Sequence, residues 1–503
     1  MRTKVPIRTL SSGVPGLDEV LGGGIPEFSL TLVVGGSGSG KTTLGHQIMF
    51  ANATPARRAV FFTVIGEPPI KMLRYMQQFS FFDTSKVGES IRFIHLGQEA
   101  KEGGLTKVLD RIMREVDDSS PGIVVVDSFR AAMRTTPAAP AGELEVQDFM
   151  QRLALHLTSC EATTFLLGEY GADCVDERDT SVFTVADGVV WLSQAVERNS
   201  IVRKLQVQKM RGQAQIPGLQ TMRLTDEGVR VYPRLLKPPE GAGAARPLEQ
   251  RLTIGVPALD EMMGGGIPSG YSVLLAGPSG SGKTVLSNEF ILEGIRRGEP
   301  GVIAVFEKRP NIYLQTTPHG GVFEGLIKDK KLEIVYVRPL DLSIDETLTA
   351  IQEAVLRIGA KRAVIDSLSG LELALAPTFR EDFRESLYRM LGALTGMGVT
   401  VLSTVELADA FTVLQFSPHG IAFLNDAIIM LRYLEIDGQL RRAISVVKVR
   451  GSQHSKNLRE FEITSEGALR LGEPLNGYDG LLTGAPRIIG GYSATKNRRP
   501  RKT

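Results

Sequence analysis

Two stretches of this chain have the residues and spacing to grip phosphate. Gly35, Gly36, Ser37, Gly38, Ser39, Gly40, Lys41 and Thr42, followed by Thr43, read G-x-x-x-x-G-K-[ST]; so do Gly277, Pro278, Ser279, Gly280, Ser281, Gly282, Lys283 and Thr284, followed by Val285. Such a glycine-rich loop turns its backbone N–H groups inward around phosphate oxygens where a Cβ would obstruct them. Lys41 and Lys283 are placed to offset the charge of the β- and γ-phosphates, and Thr42 and Thr284 to offer a hydroxyl to Mg²⁺. A helix starting at the loop adds the positive end of its dipole.

The ion needs a second oxygen ligand. Asp127 and Asp366 each end an apolar run about 85 residues beyond the loop lysine and fit that role, with Ser128 and Ser367 beside them. Hydrolysis also needs a group that orients or deprotonates water. Glu67, in Val64-Ile-Gly-Glu-Pro-Pro69, and Glu307, in Val305-Phe-Glu-Lys-Arg-Pro310, are the candidates, each just past an apolar strand and before a proline turn. With Lys41 and Lys283 they make up the expected catalytic set.

The elements that must position these groups repeat along the chain. Apolar runs of strand length occur at Leu30–Val34, Ala59–Val64, Ile123–Val126, Thr163–Leu167 and Gly188–Leu192. They return at Val273–Ala276, Val302–Phe306, Ala363–Ile365, Val399–Leu402 and Ala427–Leu431. Helical patterns separate several of them, and Thr284–Arg297 reads as a helix closed by Gly298. Continuous apolar strands alternating with helices predict an α/β fold with a mainly parallel sheet covered on both faces.

The repetition is a tandem duplication. Gly13–Pro26 (GVPGLDEVLGGGIP) recurs as Gly255–Pro268 (GVPALDEMMGGGIP), 242 positions on, and Lys209–Gly212 (KMRG) recurs as Lys448–Gly451 (KVRG), 239 positions on. Two domains are expected, 1–232 and 248–486, joined by a proline-rich linker at 233–247 and followed by a basic tail at 487–503. Asp18 and Asp260, within the repeated opening motif, read as turn or helix-start residues.

Composition narrows the function. The 503 residues carry 58 Lys+Arg against 56 Asp+Glu, a net charge of +2, so no global excess advertises nucleic acid or an anionic membrane. One tryptophan, Trp191, and 6% aromatics offer no evident stacking platform for single strands. Two cysteines, Cys160 and Cys174, exclude a disulfide framework and a four-cysteine zinc site, and read as structural residues of a reducing compartment. No run of about 18 apolar residues is present, and a cytoplasmic protein is expected.

Together these motifs resemble the KaiC family of tandem RecA-like ATPases. The marks are Ser12–Pro26 (SGVPGLDEVLGGGIP), the paired phosphate loops, Ile365-Asp-Ser367 and Val446–Glu460 (VVKVRGSQHSKNLRE). The resemblance implies two RecA-like P-loop domains and a homohexameric double ring binding ATP with Mg²⁺ between neighbouring subunits. The first copy would chiefly hydrolyse ATP and the second serve as a Ser/Thr autokinase. It also implies that Lys209 with Arg211, and Lys448 with Arg450, reach the γ-phosphate held by a neighbour, with His454 a further candidate.

Three departures bear on activity. The family's paired glutamates are reduced to Gly66-Glu67 in copy one and Glu307-Lys308 in copy two. Its adjacent Ser and Thr phosphoacceptors fall on Ala422 and Phe423, leaving Ser417, Ser403 and Thr404 as nearby hydroxyls. The long tail read by the clock protein KaiA is replaced by Lys496–Thr503 (KNRRPRKT), which argues against KaiA as partner and leaves a KaiB-like or other signalling protein. The competing readings are a RecA- or DnaB-like DNA-dependent motor, and a nucleotide-gated scaffold without turnover.

Overall fold

The structure is a computed structural model. It describes residues 7–64, 69–129, 143–171, 180–197, 200–234, 250–337, 343–375, 380, 383–407, 418–436, 438–476, 478–480 and 487–488. The chain divides into two compact units, Met1–Arg234 and Leu235–Thr503.

In the first unit nine strands form one sheet: β1 (Leu30–Gly35), β2 (Ala59–Thr63), β3 (Ile91–His95), β4 (Ile123–Asp127), β5 (Thr163–Glu169), β6 (Gly188–Glu197), β7 (Ser200–Met210), β8 (Gln220–Thr225) and β9 (Gly228–Tyr232). Their order is β9-β8-β7-β6-β1-β5-β4-β2-β3. The six strands from β6 to β3 run parallel, and β7, β8 and β9 extend the sheet by antiparallel pairing. The second unit repeats the pattern with β10 (Ser272–Gly277), β11 (Gly301–Val305), β12 (Leu332–Tyr336), β13 (Arg362–Asp366), β14 (Thr400–Glu406), β15 (Ala427–Ile436), β16 (Gln439–Val449), β17 (Arg459–Ile463) and β18 (Leu469–Pro474). Its order, β18-β17-β16-β15-β10-β14-β13-β11-β12, matches strand for strand.

The apolar runs become central strands because their side chains fill a core on each face. In β1, Leu30, Leu32 and Val34 enter one core while Val33 enters the other; β4 divides the same way, Val124 and Val126 against Ile123 and Val125. The helix α1 (Lys41–Asn52), which follows the first phosphate loop, covers one face with Leu44, Ile48, Met49 and Phe50. Helices Gly97–Ser119 and Glu143–Ser159 cover the other. In the second unit the corresponding loop helix is α2 (Lys283–Arg296).

The repeated opening motif is structural. Asp18 Oδ1 accepts from Ser12 N at 2.8 Å and Asp260 Oδ1 from Ile254 N at 2.7 Å, tying the leading segment to its short helix. Burial pushes the Asp260 carboxyl up to about 6.

One buried charge separates the copies. Arg362, at the start of β13, has a fully buried side chain. Its Nε donates to Glu299 at 2.8 Å, its Nη1 donates to the carbonyls of Thr253 at 2.7 Å and Phe290 at 2.8 Å, and its guanidinium lies 4.7 Å from the Phe290 ring centre. Ile123 starts the equivalent strand of the first copy. Gly294 clears the space: a Cβ there would stand 2.4 Å from the Arg362 side chain. Removing one partner of such a pair strands the other and its carbonyls, at a cost of about 3–5 kcal/mol. Arg362→Ala is therefore expected to lower the urea midpoint of the second repeat by that equivalent, with Arg362→Met, which restores volume, recovering part of the loss.

Candidate functional site

Each phosphate loop lies between the C-terminal end of its central strand and the N-terminus of the following helix. The two loops share one backbone course: Gly38 and Gly280 have φ of 73° and 72°, Gly40 and Gly282 of 101° and 103°. At the strand end a side chain would collide with the next strand, since a Cβ on Gly35 would stand 2.1 Å from Leu192 O. Lys41 Nζ donates to Gly36 O at 2.7 Å, and Lys283 Nζ to Gly277 O at 2.9 Å and Pro278 O at 2.8 Å, so each lysine folds back over its own loop.

The Thr and Asp of each copy are joined across the sheet. Thr42 Oγ1 donates to Asp127 Oδ2 at 2.7 Å, and Thr284 Oγ1 to Asp366 Oδ2 at 2.9 Å. In copy two, Thr404 Oγ1 also donates to Asp366 Oδ1 at 2.6 Å. β5 separates β1 from β4, so the contact spans the strand between them. Burial, countered chiefly by these threonine hydrogen bonds, raises both carboxyls above the ordinary aspartate range. Burial lowers both loop lysines, countered by the surrounding carboxylates. A hydroxyl beside a carboxylate is a hard-oxygen donor set, which fits Mg²⁺.

Two carboxylates absent from the sequence analysis complete the ring. Glu169 and Glu406 end β5 and β14, in register with Gly35 and Gly277, and line the two clefts. Each is the foremost charge holding up the pKa of its loop lysine. The signal was available, since both close an apolar strand at matching places in the repeat. Glu307 lines the second cleft and its Oε1 accepts from Ser367 Oγ at 2.9 Å. Glu67 lies outside the described residues.

Both clefts enclose about 490 Å³, with different walls. In copy one, His46 stacks on Phe61 at 4.4 Å, and Met72, Tyr75, Phe79 and Phe81 continue an apolar lining. Burial drives the His46 pKa down to about 3, so the ring is neutral. Asn288 replaces it in copy two, accepting from Tyr313 OH and donating to Thr317 Oγ1, both at 2.6 Å.

Lys209 and Arg211 lie far from their own loop. Lys209 is in register with Val189, near the start of β6, whereas Gly35, where the loop begins, is in register with Leu192. Val189 to Leu192 is three residues, about 10 Å along a strand. Lys209 Nζ donates to the carbonyls of Phe183 at 3.2 Å and Thr184 at 3.1 Å, and Arg211 pairs with Asp187 at 2.9 Å. Lys448 and Arg450 repeat this arrangement with Asn425 O at 2.6 Å and Asp426 at 3.1 Å. Neither pair lines the cleft of its own copy.

The sequence model of the KaiC ATPase family matches residues 10–235 and again residues 252–473. The chain belongs to the KaiC ATPase family. It is 29% identical over 495 residues to the circadian clock oscillator protein KaiC of Picosynechococcus sp., covering 96% of this chain and 92% of that protein. KaiC proteins of Rippkaea orientalis and Prochlorococcus marinus are each 27% identical, again over 96% of the chain, and 92% and 96% of their own lengths are matched. Among the described residues no helix is long and apolar enough to cross a membrane.

The buried aspartate carries a testable cost. Its raised folded-state pKa means that the ionised form is disfavoured at neutral pH, and that this penalty vanishes below the ordinary aspartate range. Asp127→Asn is expected to raise the melting temperature of the nucleotide-free protein at about pH 7, and to raise it less as the pH falls towards about 4. An Asn variant less stable than wild type across that range would contradict the assignment.

Proposed function

We propose that both repeats bind ATP with Mg²⁺ and hydrolyse it, as subunits of a homohexameric ring that signals to a protein partner. The observation that carries this reading is the twofold set of lysine, threonine, aspartate and glutamate around one loop geometry. Thr42 with Asp127, and Thr284 with Asp366, would hold the ion, which when bound offsets charge on the β- and γ-phosphates. Lys41 and Lys283 leave their loop carbonyls for the phosphate oxygens. Glu67 and Glu307 orient the attacking water, whose oxygen bonds to the γ-phosphorus as the bond to the β,γ-bridging oxygen breaks; a proton leaves the water, giving ADP and inorganic phosphate. Glu169 and Glu406 favour the charged form of the lysines against the opposing effect of burial.

The distance of Lys209, Arg211, Lys448 and Arg450 from their own loops supports a role on a neighbour's γ-phosphate, where fixed cations stabilise the transferring group. Autophosphorylation is poorly supported. Ala422 and Phe423 lack hydroxyls, Ser417 lies outside the described residues, and Ser403 and Thr404 are buried in β14. Thr404 is already committed to Asp366.

With γ-labelled ATP and Mg²⁺, label is expected to appear as free phosphate with little retained on the chain. Lys41→Ala and Lys283→Ala should each remove their own copy's share of release, by about 10²–10³-fold. Arg211→Ala should lower release with nucleotide affinity kept. Stoichiometric label on the chain would establish a kinase instead, and release insensitive to both lysine variants would refute the ATPase reading.

A further inference from the structure

A second constellation lies in the first repeat, apart from the phosphate loops. His156 and Cys160 stand four residues apart at the end of helix Glu143–Ser159, on one helical face, opposite Asp117 in the last turn of helix Gly97–Ser119. His156 Nε2 is 3.0 Å from Asp117 Oδ1; Cys160 Sγ is 3.9 Å from the same oxygen and 3.9 Å from His156 Nε2. One imidazole nitrogen, one thiol sulfur and one carboxylate oxygen thus converge within 4.8 Å, the only such group of potential metal ligands among the described residues.

The triangle has the dimensions of one face of a zinc tetrahedron. With Zn–S near 2.3 Å and Zn–N and Zn–O near 2.0–2.2 Å, tetrahedral angles put N and O about 3.4 Å apart and S about 3.6 Å from each. The observed edges differ from these by a few tenths of an ångström, within a side-chain rotation. Mixed sulfur, nitrogen and oxygen donors favour Zn²⁺ over Mg²⁺ or Ca²⁺, which take oxygen. In the sequence Cys160 reads as a structural cysteine because Cys160 and Cys174 form no CxxC pair; a His-x₃-Cys step with a distant aspartate carries no such spacing signal. Cys160 is partly exposed, as is His156, and Asp117 is exposed, so an ion can reach all three.

The duplication supplies a control. Cys160 N donates to His156 O at 3.1 Å, and Met397 N donates to Ala393 O at 3.2 Å at the same helix end of copy two. Likewise Ser120 N bonds to Val116 O as Gly359 N bonds to Val355 O, placing Leu356 where Asp117 stands. Copy two therefore carries Leu356, Ala393 and Met397 in place of all three donors, and the same local fold forms without them.

We propose that Asp117, His156 and Cys160 form a zinc-binding site of three protein donors with the fourth position open to water. Binding displaces the Cys160 thiol proton to solvent. The ion clamps together the helix ends that lead into β4 and β5, the strands ending in Asp127 and Glu169.

Cobalt, which occupies zinc sites and reports thiolate ligation by absorption, tests the proposal on the full-length, nucleotide-free protein. One equivalent of Co²⁺ per chain should give a near-ultraviolet thiolate-to-cobalt band that Zn²⁺ abolishes, and Zn²⁺ should raise the melting temperature in a concentration-dependent manner. The band should vanish in Cys160→Met and weaken at least 10-fold in apparent affinity in His156→Ala; both are substitutions that the second repeat already carries. Cys174→Ser should leave it unchanged. A wild-type protein without the band, or a band that survives Cys160→Met, would overturn the site.

Discussion

The hydrogen bond from the loop threonine to the aspartate two strands away fixes the rest of the site. It exists only because the chain enters the sheet at its centre and inserts β5, or β14, between the strand that carries the loop and the strand that carries the carboxylate. That crossover brings residues 85 positions apart in copy one, and 82 in copy two, within hydrogen-bonding distance. The same insertion delivers Glu169 and Glu406 to the loop lysines. Burial lowers the lysine pKa and raises the aspartate pKa, so the charged forms carry a desolvation cost that a polyanion with its cation would offset.

Duplication kept this core and let its surroundings drift. Arg362 and its carbonyl partners occupy a place that copy one fills with Ile123, and neither solution disturbs strand order. His46 and Phe61 line the first cleft, whereas the buried counterpart Asn288 is hydrogen-bonded to Tyr313 and Thr317, which line the second. Such differences sit beside the loops or on the far helices, where packing tolerates exchange, while the lysine, threonine and aspartate geometry agrees closely between copies.

Much of this was legible in the sequence. The parallel strands announced themselves because burial on both faces demands unbroken apolar runs, as in Ile123–Val126, and the loops because few backbones need glycine so densely. The outer strands were not placed. Ile91–His95 and Leu332–Tyr336 lie at sheet edges, where one-sided burial admits Arg92, His95 and Glu333, and the antiparallel extension alternates polar and apolar residues like any surface hairpin. Glu169 and Glu406 close apolar runs in the sequence as Asp127 and Asp366 do, but only the strand order shows that they stand beside the loop lysines. The separation of Lys209 and Lys448 from their own loops likewise depends on strand register, which spacing along the chain does not encode.

The most direct measurement of the central claim is calorimetric titration of the full chain with Mg²⁺ and a non-hydrolysable ATP analogue. Two equivalents per chain are expected for wild type, one after either Lys41→Ala or Lys283→Ala, and none when both are changed. No heat of association in the wild type, or heat undiminished in the double variant, would contradict the account.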